Sequence, residues 1–61
     1  MTYVVKRYKG EYLEYEDKTF CGYTYLSDCA MTFDTYPKAY YMAKKLNKRY
    51  GRKVLSVSKL N

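Results

Sequence analysis

The chain has 61 residues, with twelve Lys or Arg against six Asp or Glu, a net charge of +6 and no histidine. That length fits a single domain, residues 1–61, which buries only about 60% of the surface its extended form would expose. With two cysteines and no histidine the chain cannot supply the four soft ligands of a structural zinc site, and no apolar run approaches the roughly 20 residues of a membrane span.

In chain order, residues 2–8 (TYVVKRY) are rich in β-branched and aromatic types and read as a strand. Lys9-Gly10 offers a turn, with Gly10 free to take positive φ. Glu11 to Glu16 (EYLEYE) is a second strand, with Leu13 and Tyr15 on one face and Tyr12 and Glu14 on the other. Asp17-Lys18 breaks the run. Thr19 to Leu26 (TFCGYTYL) is a third strand, placing Cys21, Tyr23 and Tyr25 opposite Phe20, Thr24 and Leu26, with a bulge expected at Gly22. Ser27 to Phe33 is expected to be a loop or a brief extended lead into the helix. Asp34 or Thr35 can cap that helix by accepting from the free N–H groups of its first turn, where Pro37 also fits. From Tyr36 to Tyr50 the helical period places Ala39, Ala43, Leu46 and Tyr50 on one stripe, edged by Met42 and Tyr36. Gly51 stops the helix, and Val54 to Leu60 (VLSVSKL) reads as a closing strand.

The expected fold is therefore α+β, in the order β-β-β-α-β: a three-stranded antiparallel meander, one helix and a fourth strand. The helix should bury its stripe against one sheet face, and fifteen residues span about 22 Å, enough to cross four strands. The other face has no second layer to cover it.

The residues that chemistry needs are absent or unpaired. No histidine can serve as base to Cys21 or Cys29, which are expected to be reduced, partly buried thiols of a cytoplasmic protein, with a Cys21–Cys29 disulfide as the alternative. The amino terminus, Met1 to Arg7, turns charged too soon for a secretory leader. Glu11, Glu14, Glu16 and Asp17 form a run that reads as a solvated face. Gly10, Gly22 and Gly51 stand apart and make no phosphate loop, so no cofactor is expected and the protein is not expected to be an enzyme.

Two binding surfaces are expected instead. On the outward helix face Lys38, Lys44, Lys45 and Lys48 surround Tyr41, and Arg49, Arg52 and Lys53 extend the positive region. A tyrosine among cations can anchor an acidic protein surface, while the bland reading is a solvated face. The second is the uncovered sheet face. Tyr3, Tyr8, Tyr12, Tyr15, Tyr23 and Tyr25 fall in the expected strands, and an alternate set of them should point away from the helix. Such a set could stack nucleic-acid bases, form a protein interface or seam a homodimer. The basic and aromatic residues make no RNA-recognition signature.

Tyr3-Val4-Val5, Lys9-Gly10-Glu11-Tyr12-Leu13, Phe33-Asp34-Thr35, and Ala39 with Ala43 resemble the pattern of a loose group of small accessory proteins of phages and prophages of Gram-positive bacteria. The resemblance covers most of the chain and rests on core and turn positions. It implies a small protein of a bacterial cytoplasm that binds and inhibits a host or defence protein, as anti-CRISPR proteins do. The step Phe33, Thr35, Ala39 after a three-stranded sheet is similar to the amino-terminal arm-binding domain of some integrases, which lays its sheet in the DNA major groove. The acidic second strand departs from that pattern, since phosphate contact wants cations. A DNA- or RNA-binding protein is the alternative function.

Overall fold

The computed structural model describes residues 1–17 and 20–60. Its elements are β1 (Tyr3–Arg7), a 3-10 turn (Tyr8–Gly10), β2 (Glu11–Glu16), β3 (Cys21–Thr24), a second 3-10 turn (Ser27–Cys29), α1 (Tyr36–Tyr50) and β4 (Leu55–Lys59). The strands form one antiparallel sheet in the order β3-β2-β1-β4, so the chain's last strand closes beside its first. The expected α+β fold with its helix across one sheet face is the fold observed. The start of the third strand at Thr19, and Lys18 of the preceding break, lie outside the described residues.

Each element follows from local chemistry. Gly10 turns β1 into β2 at φ 79, a left-handed conformation that glycine adopts without Cβ strain. Thr35, not Asp34, caps the helix: its Oγ1 accepts from the Lys38 N–H at 3.4 Å. Asp34 pairs with the Lys38 ammonium at 3.1 Å, and that hydrogen bond and charge hold its carboxyl below the usual range. Gly51, at φ 80, ends the helix with its N–H shared between the Asn47 and Lys48 carbonyls.

Val5, Leu13, Ala39, Ala43, Leu46 and Leu55 form the core, where the helix stripe meets β1, β2 and β4. Tyr50, expected on that stripe, sits at its rim with 42% of its surface exposed. The stretch between the second 3-10 turn and the helix does more than connect. Met31 N–H donates to the Leu13 carbonyl, and Phe33 exchanges a pair of backbone hydrogen bonds with Tyr3. This segment thus takes up backbone groups of both β1 and β2 where their own pairing, centred on Lys6 with Tyr12 and Arg7 with Glu11, does not continue.

The expected face assignment changes in β2. The register shifts between Leu13 and Tyr15, leaving Glu14 as the extra residue. Leu13 pairs with Tyr23 under the helix, whereas Tyr15 pairs with Gly22 and crosses to the open face. The bulge therefore lies in β2, opposite the glycine that was expected to host it.

Candidate functional site

On α1, Tyr41 is 69% exposed and lies in a shallow depression with Lys44, Lys45 and Lys48, three, four and seven residues further along the helix. Helical spacing puts these on one face. The larger patch expected from the sequence is divided. Lys38 is turned back to Asp34. Lys45 and Arg49 reach down to the end of β2, where both contact Glu16, at 3.4 and 3.2 Å. Arg49 also donates to the Asp17 carbonyl and to Cys21 Sγ, at 3.2 and 3.7 Å. Arg52 lines a separate recess with Arg7, Tyr8 and Tyr50, and Lys53 lines a groove beside β4. Among the described residues no carboxylate lies within ion-pair distance of Lys44 or Lys48. Tyr41, Lys44 and Lys48 thus form an open cationic and aromatic spot.

The six tyrosines expected in the strands do not form one platform. Tyr3 lies under the helix, edge-on to Tyr36 at 5.8 Å. Tyr23 is also on the helix side: its hydroxyl and that of Tyr50 are 2.6 Å apart, and the Arg7 guanidinium lies 3.7 Å from its ring centre. Burial, then the Tyr50 hydrogen bond, push the Tyr23 pKa well above its ordinary value. Arg7 is bridged in turn to Glu11 at 2.8 Å. Tyr8 belongs to the first 3-10 turn and Tyr25 follows β3, so neither is a strand residue.

Only Tyr12 and Tyr15 of the six remain on the open face. There Lys6 Nζ sits 5.5 Å from the Tyr12 ring centre. The Tyr15 ring covers Gly22 and meets Phe20 edge-on at 6.2 Å. Val4 is buried, and Ser56 and Ser58 continue the face on β4. Tyr12 and the edge-on Tyr15–Phe20 pair, among serines and a buried valine, do not make the continuous stacking surface that single-strand binders use.

Both cysteines are free thiols, Cys21 half-buried and Cys29 exposed. Among the described residues no group of three or more His, Cys, Asp or Glu could hold a metal ion, and no helix is long and apolar enough to cross a membrane.

Sequence reasoning missed Asn47. Its side-chain Oδ1 accepts from the backbone N–H groups of Val54 and Leu55, both at 2.8 Å, and its Nδ2 donates to the Leu55 carbonyl at 3.0 Å. A polar residue in the last turns of a helix ordinarily reads as solvated, and no local signal marked this one as a tie to β4. Comparison of the chain with protein-family models, curated proteins and solved structures gave no match.

Proposed function

We propose that this chain is a non-catalytic binding protein that docks on an acidic surface of a partner protein through the α1 face centred on Tyr41. The observation that carries this reading is the exposed Tyr41 ring beside Lys44 and Lys48, neither of which is neutralised by a carboxylate among the described residues. An aromatic ring with few rotatable bonds, surrounded by cations, gives contact area and directional charge together. The resemblance to small phage and prophage accessory proteins supports a bacterial cytoplasmic setting in which the partner is a host or defence protein that is inhibited.

Affinity capture from a bacterial lysate, run beside gel-shift titrations with duplex DNA and single-stranded RNA, tests the reading. A discrete protein retained by the parent chain and lost from Tyr41→Ala, with no retardation of nucleic acid, is the expected result. Retardation at low salt that weakens steeply as salt rises, with no protein retained, would replace this reading with nucleic-acid binding.

A further inference from the structure

The strand β4 stands at the sheet edge and, among the described residues, pairs with β1 alone. In an antiparallel strand alternate residues direct both backbone groups to one side. Leu60 N–H donates inward to the Thr2 carbonyl, so the even-numbered residues of this strand face β1. Leu55, Val57 and Lys59 then direct their N–H and C=O groups away from the sheet. Asn47 confirms the parity, since its amide takes both outward groups of Leu55 as a neighbouring strand would. Among the described residues no hydrogen bond takes the outward groups of Val57 and Lys59, which are left on this edge.

Beside that edge runs a groove of ≈ 420 Å³ between β4 and the helix, lined in part by Tyr36, Tyr40, Ala43, Lys44, Lys53 and Val57. The Tyr36 and Tyr40 rings stack along its helix wall, 6.0 Å apart and 17° from parallel. Among the described residues no acidic side chain lines it.

We propose that this edge and groove bind an extended acidic segment of a partner protein, which adds a strand to β4. Val57 and Lys59 supply the backbone hydrogen bonds. Asn47 already occupies the position opposite Leu55, so it marks where the added strand must end and sets its register. Alternate apolar side chains of the segment lie against Tyr36 and Tyr40, and its carboxylates meet Lys44 and Lys53. Main-chain pairing provides affinity in such strand addition, and the groove provides selection. A second copy of this chain is a poor occupant. Pairing β4 with β4 about Val57 would set Lys59 of each copy opposite Leu55 of the other, whose outward groups Asn47 already takes, with no carboxylate in residues 53–59 to meet the lysine. The surface differs from the Tyr41 face, and Lys44 is the residue common to both.

The test uses the whole chain, amide hydrogen exchange and three synthetic peptides. One alternates valine and glutamate, one alternates valine and lysine, and one is the glutamate peptide N-methylated at every other residue. In the free protein the Val57 and Lys59 amides should exchange faster than those of Ser56 and Ser58. With the glutamate peptide at a free concentration ten times its Kd, in the millimolar range, their exchange should slow about tenfold. The lysine peptide and the N-methylated peptide should leave exchange unchanged. The variant K44E/K53E, altered only at exposed side chains, should prefer the lysine peptide. Tyr41→Ala should bind the glutamate peptide like the parent, which separates this site from the helix face. Unchanged exchange at Val57 and Lys59 with millimolar glutamate peptide would overturn the proposal. So would equal protection by all three peptides.

Discussion

Asn47 ties the end of the helix to the start of β4 with one side chain and three hydrogen bonds to backbone groups. Removing it leaves those part-buried groups without their partner, and an unsatisfied group of that kind costs about 1–3 kcal/mol. Asn47→Ala should therefore lower stability in urea by about that amount, and the Leu55 amide should lose its protection from hydrogen exchange. A variant as stable as the parent would show that water replaces the amide without loss. At Tyr23 the same scale yields a pH dependence. Burial, and after it the hydrogen bond with Tyr50, raise the folded-state pKa above the ordinary 10.0. The unfolded chain consequently loses this proton first as the pH rises. The stabilisation is complete below pH 10 and is lost as the pH climbs through the raised folded-state value. Tyr23→Phe cannot ionise, so its stability should decline less steeply above pH 10 than the parent's in urea titrations across that range. Parallel declines would mean that Tyr23 ionises equally in both states.

At the scale of elements the helix was the most legible part of the chain. Its apolar period, capping threonine and terminal glycine each act locally, and Tyr36–Tyr50 is helical as the period predicts. Leu46 is fully buried at the centre of the stripe, so Leu46→Ala should cost about 2–5 kcal/mol in a thermal or urea melt. Tyr41→Ala, on the opposite face, should leave the melt nearly unchanged. Strand faces were less legible, because a period of two reverses sides at every extra residue. Glu14 is such a residue, and it carries Tyr15 from under the helix to the open face. Nothing in EYLEYE distinguishes the bulged register from the regular one; the difference is settled by Tyr15 lying over Gly22, a contact between strands. A Cβ at Gly22 would collide with that ring, so Gly22→Ala should destabilise the parent chain. In a Tyr15→Ala background the collision is gone, and alanine's lower unfolded-state entropy should make the same substitution neutral or stabilising. Additive effects in this double-mutant cycle would show that the ring moves aside freely.

For the whole molecule, what matters is which charges remain available. Glu11, Glu16 and Asp34 are held in internal ion pairs with Arg7, with Lys45 and Arg49, and with Lys38. These pairs cancel locally, so the net +6 is expressed mainly by cations such as Lys44, Lys48, Arg52 and Lys53, which have no carboxylate partner among the described residues. From Thr35 onward the chain has eight basic residues and no acidic side chain, and this half contributes the helix face and the β4 groove together. A field of one sign over neighbouring surfaces accelerates encounter with an acidic partner more than it deepens the final complex. K44E/K48E changes two residues by two charges each, taking the net charge from +6 to +2. Both residues are exposed, so the fold should persist. Association with the captured partner should slow by about 10–100-fold at low ionic strength. The parent's rate should fall steeply as salt shortens the screening length below about 10 Å, while the variant's should be nearly flat. Stopped-flow measurement across a salt series checks both. If parent and variant associate at equal rates at low salt, the cations of the helix face take no part in encounter, and the partner's charge has no bearing on how it is found.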